Sequence, residues 1–172
     1  YRRLVPRYSN SNGKWYGVAS DSTGAKLVAL INDGYIYTST DYGFTWTEQT
    51  SSSVQSWQSV ASSSDGTKLV ACHTGTGSDD GQVYTSSDSG NNWIARDSNR
   101  NWQSVASDST GSKLVACVYG GQIYTTSDSG VTWTPRMIDS NRDWQSVASD
   151  STGSNLVACV YGGQIYTSSD SG

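Results

Sequence analysis

Apolar residues along this chain fall in short runs, separated by clusters of Ser, Thr, Gly, Asp and Asn. The span Ser104 to Arg136 shows the pattern. Ser104–Ser107, Leu114–Val118, Gln122–Thr126 and Val131–Arg136 are rich in Val, Ile, Tyr, Thr and Trp, as strands are. Between them stand Ser109-Thr110-Gly111, Gly120-Gly121 and Asp128-Ser129-Gly130, residues that favour tight turns. Leu114 to Val118 lacks polar alternation, which predicts a strand buried on both faces. No segment repeats apolar residues at helical spacing, so almost no helix is expected.

The same pattern recurs. The segment from Trp102 matches the segment from Trp144 almost residue for residue, and looser copies begin at Trp57 and Trp15. These starts lie 42, 45 and 42 residues apart. The longer step has five extra residues between Cys72 and Gln82 and a shorter later connection. Four strands per unit at this period predict an all-β chain, a β-propeller of four-stranded antiparallel blades. Residues 1–172 read as one domain with repeats starting near 15, 57, 102 and 144. Residues 1–14 are a closing strand and connection. Arg2 to Trp15 aligns without gaps on Val131 to Trp144, placing Pro6 on Pro135 and Arg7 on Arg136. Arg2–Arg7 is therefore expected to complete the C-terminal blade, within one chain or between chains.

The third turn of each unit carries Ser-x-Asp-x-Gly-x-x-Trp. It appears with Asp41, Gly43 and Trp46, with Asp88, Gly90 and Trp93, and with Asp128, Gly130 and Trp133, Thr126 replacing the first Ser. A partial copy holds Asp170 and Gly172. A short carboxylate accepts N–H groups of its own turn, Gly permits positive φ, and Trp buries a large area. This motif resembles the Asp-box (bacterial neuraminidase repeat) family of sialidase-like β-propellers. The resemblance implies that these residues stabilise the fold away from any catalytic face.

Charge and composition narrow the function. Eleven Lys+Arg against 15 Asp+Glu leave a net charge of -4, without the basic surface that nucleic acid requires. No apolar run approaches the length of a membrane span, so no membrane insertion is expected. Seven Trp and 11 Tyr are ample for a packed core. The first residue is Tyr1, so the chain reads as processed or as a piece of something longer. No N-glycosylation sequon occurs.

The sialidase resemblance implies an arginine triad, a Tyr–Glu pair and an acid Asp. The chain has one Glu, Glu48. Its arginines repeat by blade: Arg7, Arg96 and Arg136 correspond, as do Arg100 and Arg142. Cys72, Cys117 and Cys159 recur at one second-strand position, which Leu30 takes in the first copy, so they read as buried thiols. Catalysis, metal and cofactors are therefore not expected. Two ligand sites suggest themselves. One is the unique loop with His73, Asp79 and Asp80. The other is the repeated Asn-Arg-x-Trp, with Arg100, Trp102, Arg142 and Trp144, where an aromatic ring could stack on a sugar. The expected function is a non-catalytic structural or adhesive scaffold, extracellular or at the cell surface, self-assembling by strand exchange. A carbohydrate-binding lectin-like propeller is the alternative and a sialidase-like hydrolase the third reading. Expected partners are the chain itself, glycans or proteins.

Overall fold

The computed structural model describes residues 4–8, 13–75 and 81–172. Strands β1 (Trp15–Ser20), β2 (Leu27–Gly34), β3 (Ile36–Ser39) and β4 (Thr47–Gln49) form a first antiparallel meander. The second comprises β5 (Gln55–Ser62), β6 (Leu69–His73), β7 (Gly81–Ser86) and β8 (Ile94–Arg100). The third comprises β9 (Trp102–Ser107), β10 (Leu114–Gly121), β11 (Ile123–Thr126) and β12 (Thr134–Arg136). The fourth has β13 (Arg142–Ser149), β14 (Leu156–Val160) and β15 (Ile165–Ser168). One 3-10 turn, Thr50–Ser52, is the only helical element among the described residues.

The meanders stack face to face, and each core cluster belongs to two of them. Val28, Leu30 and Ile36 of the first pack on Trp57, Val60, Leu69, Ala71 and Trp93 of the second. Val70, Cys72 and Val83 meet Trp102, Val105, Leu114 and Ala116. Val115, Cys117 and Ile123 meet Trp144, Val147 and Ala158. This explains the unbroken apolar second strands: their successive side chains feed the clusters on either side. Burial raises the Cys72 thiol pKa and pushes Cys117 up to about 12. Both behave as small apolar side chains. Cys159 is only half-buried, on the last meander.

Backbone bonds tie the stack at both ends of the strands. At one end Ser22 N–H donates to Ser64 O, Ser64 N–H to Ser109 O, and Ser109 N–H to Ser151 O. At the other, Asn32 pairs with Ser56 and Tyr119 with Asp143, each pairing joining two meanders. The 45-residue step interrupts this joining, so the pairs fuse into one eight-stranded and one seven-stranded sheet.

Of the expected closing strand Arg2–Arg7, residues 2–3 lie outside the described residues, and residues 4–7 do not pair with the C-terminal meander of this chain. This part carries no strand, and Leu4 is 98% exposed. The Arg7 guanidinium lies 4.1 Å from the Phe44 ring centre, and Tyr8 packs on Trp15 and Tyr37, all in the first meander. The outer faces of the stack remain open, with Val18 75% and Ile165 74% exposed.

The Ser-x-Asp turns use their carboxylates internally. Asp128 accepts from Thr126 Oγ, Thr132 Oγ and Thr132 N–H, which hold its pKa down at about 2. The Thr126 hydroxyl oxygen in turn accepts Gly130 N–H. Ser129 and Gly130 take φ of 61° and 84°. Asp41 and Asp88 repeat this with Ser39 and Thr45, and with Ser86 and Asn92; Asp170 pairs with Ser168. The Trp46 and Trp133 indole N–H groups close their turns on Gly43 O and Gly130 O. A second acidic turn joins the first two strands. Asp108 accepts from Thr110 Oγ and from the N–H groups of Ser112 and Lys113, and Asp21 and Asp150 do likewise in their own modules.

Two glycine substitutions separate conformation from packing. A Cβ on Gly130 would meet Thr85 Cγ2 at 2.8 Å, whereas one on Gly162 (φ 66°) meets nothing within 4 Å. Gly162→Ala should cost about 1 kcal/mol for the left-handed backbone alone. Gly130→Ala should cost about 2–4 kcal/mol, because overpacking adds to that strain. Urea unfolding of both variants reads the difference.

Candidate functional site

The strands alternate in direction, so each meander's connections gather at two ends. The two acidic turns occupy one end. The other holds the residues just before each first-strand tryptophan (Lys14, Ser56, Asn101, Asp143) and those following each second-strand core (Asn32, Thr74, Tyr119, Tyr161). One bond recurs in each module: the N–H groups of Asn32, Thr74, Tyr119 and Tyr161 donate to the carbonyls of Lys14, Ser56, Asn101 and Asp143. The result is a polar belt that turns aromatic over the third and fourth modules. There Tyr119 lies opposite Asp143 across the junction, and Tyr161 bonds the Asp143 carbonyl. Tyr119 is 41% and Tyr161 73% exposed, and Asp143 is exposed between them.

Beneath this belt the structure brings together Arg100 with Trp102 and Arg142 with Trp144. The guanidiniums stand 5.4 and 5.8 Å from the indole centres, and 4.4 and 5.2 Å from the rings of Tyr124 and Tyr166. Both tryptophans are fully buried, so neither ring face is open to a sugar. The arginines also have partners. Arg100 pairs with Asp97, and Arg142 makes a two-point contact with Asp139. That pair, led by the Asp139 hydrogen bond, raises the Arg142 pKa and lowers that of Asp139. Asp97 and Asp139 were not anticipated, although Asp-Ser-Asn-Arg stands twice in the sequence. The clamp sets the shape of the connection that carries Asp143.

His73 lies inside the second module rather than on a loop surface. Its Nδ1–H donates to Thr74 O at 3.0 Å, and Nε2 accepts Gln82 N–H at 3.2 Å. The ring packs edge-on against Trp57, 5.5 Å between centres. Gln55 stands where the later units have Arg100 and Arg142, and the imidazole fills that space. With both nitrogens engaged, His73 has no site for a ligand. Asp79 and Asp80 lie outside the described residues.

One further cluster unites aromatic rings with a carboxylate. Tyr37 Oη donates to Glu48 Oε2, an outcome of cross-strand pairing between β3 and β4. Trp15, 37% exposed, and Tyr8 pack on Tyr37. Among the described residues no group of three His, Cys, Asp or Glu is arranged to hold a metal. No helix among them is long and apolar enough to cross a membrane.

Comparison with known proteins places this geometry. No protein-family model and no curated protein matches the chain. Solved structures do. The Niastella koreensis GH74 enzyme superposes with a TM-score of 0.71 at 22% identity, covering 92% of this chain and 23% of that one. The GH74 xyloglucanase from Xanthomonas campestris gives 0.69 at 16%, covering 90% and 28%. The β-propeller domain of Myceliophteria thermophila Cps50 (Swd1) gives 0.73 at 12%, covering 95% and 54%. The fold is that of a β-propeller. The chain spans about a quarter of the GH74 structures. Their presence overturns the expectation of a non-catalytic scaffold: arcs of this shape serve in glycoside hydrolases.

The buried imidazole gives the propeller a pH signature. Burial, the largest effect on His73, lowers its pKa below 6.5, so the folded state favours the neutral ring. The unfolded chain therefore binds a proton first, and stability present above pH 6.5 falls as pH drops toward the folded value. His73 is the one histidine of the chain. Melting temperatures taken between pH 7.5 and about 5 should decline for the native chain and stay flat for His73→Gln over this range, with carboxylate effects confined to lower pH.

Proposed function

We propose that this chain is an arc of a carbohydrate-active β-propeller, and that its exposed Tyr–Asp–Tyr belt holds a glycan. The observation that carries the reading is the placement of Tyr119, Asp143 and Tyr161 on one end of adjacent blades. Phenol rings offer apolar faces to the C–H faces of sugars, while a carboxylate accepts hydroxyl protons. Spacing by blade suits a polymer whose units present the same groups repeatedly. The likeness to GH74 enzymes, one of them a xyloglucanase, supports a plant-type β-glucan as first probe. The Ser-x-Asp-x-Gly-x-x-Trp turns make it an Asp-box propeller in this reading, working outside the cell.

Cleavage needs a second ingredient. Glycoside hydrolysis uses two carboxyl groups, one with its pKa raised so that it can act as an acid. Among the described residues the aspartates whose ionisation shifts are all lowered, most of them by hydrogen bonds within their turns. In this reading the described residues supply binding and positioning.

Titration calorimetry with xyloglucan oligosaccharides tests the reading. Binding should weaken at least tenfold in Tyr119→Ala and in Tyr161→Ala, both exposed, with unfolding midpoints unchanged. Affinity unaltered in both variants, or no binding by the native chain to this or other β-glucans, contradicts it.

A further inference from the structure

At the acidic-turn end, opposite the Tyr–Asp–Tyr belt, the junctions between blades enclose cavities that are not alike. The cavity between the second and third blades has a volume of about 160 Å³, and Lys68, Thr85, Arg96, Gly111 and Ser129 help to line it. It is comparable with cavities of about 150 Å³ that hold a benzene ring. The matching space between the first and second blades, lined in part by Lys26, Thr38, Gly66 and Ser89, is about 10 Å³, room for about one water. Two differences in charge accompany the difference in size. Gln49 of the first blade stands where the second has Arg96: Gln49 lies opposite Ile36, and Arg96 opposite Val83. On the facing blade, Asp65 of the second stands where the third has Thr110. Lys26 Nζ donates to the Asp65 carbonyl at 2.9 Å, and its charge acts on the Asp65 carboxylate. The first junction thus offsets one lysine with one carboxylate. The second holds a lysine and an arginine, and no carboxylate lines its cavity.

The side chains of this second junction are donors in want of an acceptor. Arg96 Nε donates to Thr85 Oγ at 2.9 Å, and its guanidinium makes no other hydrogen bond or ion pair among the described residues. Lys68 Nζ donates to Ser112 Oγ at 3.3 Å and to Ser129 Oγ at 3.1 Å. A hydroxyl that accepts from a cation keeps its own hydrogen to donate. Thr85 and Ser129 therefore add O–H donors to the N–H groups of Arg96. The course of Lys68 is built in. Its stem lies on Gly111, where an added Cβ would meet Lys68 Cβ at 2.6 Å and Cδ at 2.9 Å. Both cations are half-buried, so solvent ions screen them less than charges on an open surface.

We propose that this pocket binds a tetrahedral oxoanion, a sulfate or phosphate group, between Lys68 and Arg96. Such a group carries negative charge to answer two cations, and its oxygens accept from several directions. The planar guanidinium can donate to two of them, and the ammonium supplies a point charge. A neutral sugar would leave both charges unanswered, and a metal cation would be repelled. The third junction has a cavity of about 160 Å³ with Lys113 and Arg136, and Arg136 Nε likewise donates to Thr125 Oγ. There Arg136 already acts on the Asp170 carboxylate, so the second junction is the stronger site. The pocket and the tyrosine belt lie at opposite ends of the strands, so this is a site separate from the glycan belt.

Amide NMR shifts, followed while sodium sulfate replaces sodium chloride at constant ionic strength, test this. Saturating shifts are expected at Gly111 and Ser129, which border the pocket. Arg96→Gln copies the first blade, where Gln49 Nε2 donates to Thr38 Oγ, so the variant folds, as its unfolding midpoint verifies. Lys68→Met keeps the stem on Gly111 and removes the charge. In each variant the sulfate midpoint read at Gly111 and Ser129 should rise at least tenfold. Sodium phosphate should act as sulfate does. A glucose sulfate ester identifies the source of the group: tighter binding than sulfate points to an ester carried on a sugar, weaker binding to the free anion. Tyr119→Ala should bind sulfate as the native chain does, so failure of the glycan reading leaves this one standing. Shifts that grow without saturating, or midpoints unchanged in both pocket variants, overturn the proposal.

Discussion

Everything in this molecule depends on one contact, the tryptophan at the head of the first strand in the second, third and fourth meanders, pressed into the face of the preceding blade. Trp57, Trp102 and Trp144 are completely buried there, each among side chains from two meanders. A ring of that size removes roughly 150–250 Å² from water, or about 4–6 kcal/mol at ~25 cal/mol per Å². An isolated three- or four-stranded meander with both faces apolar has no way to bury them alone. Stacking supplies the second layer, so the stability of each blade belongs to its neighbours as much as to itself.

The contact fixes the rest of the architecture. Second strands must be apolar on both faces, which places Leu30, Cys72 and Cys117 in the interior and makes their thiols inert. The polar work moves to the two ends. At one end the acidic turns consume carboxylates that would otherwise suggest catalysis or metal binding. At the other, the Asp–Arg clamps lay a guanidinium over Tyr and Trp rings and so hold the connection that presents Asp143, beside the turns that present Tyr119 and Tyr161. The candidate site is thus a by-product of how successive blades are joined. Its aromatic character comes from the two most alike repeats, whose Tyr-Gly-Gly turns differ from Asn-Asp-Gly in the first.

The repeat made the strands legible. The expected Leu114–Val118 and Gln122–Thr126 differ from β10 and β11 only at their ends, because strand identity here follows local composition and spacing. The fate of individual side chains was harder to read. Trp102 and Trp144 carry the same letters whether a ring faces solvent or a neighbouring blade, and the stacking face decides which. His73 reads as a loop residue from its Gly-rich surroundings, yet β6 extends through it and the absent arginine leaves a space its ring fills. The match of Pro6 and Arg7 to Pro135 and Arg136 is visible in sequence, but sequence similarity carries no distance. Arg7 and Tyr8 contact Phe44, Trp15 and Tyr37 of the first blade instead.

The central claim is that blade-to-blade tryptophan burial, more than any single meander's own hydrogen bonds, stabilises the arc. Urea unfolding of Trp102→Ala, at the middle junction, tests it most directly. The account predicts a loss of about 3–5 kcal/mol, as for a fully buried large aromatic side chain. A loss under about 1 kcal/mol, the range of ordinary surface substitutions, would contradict it.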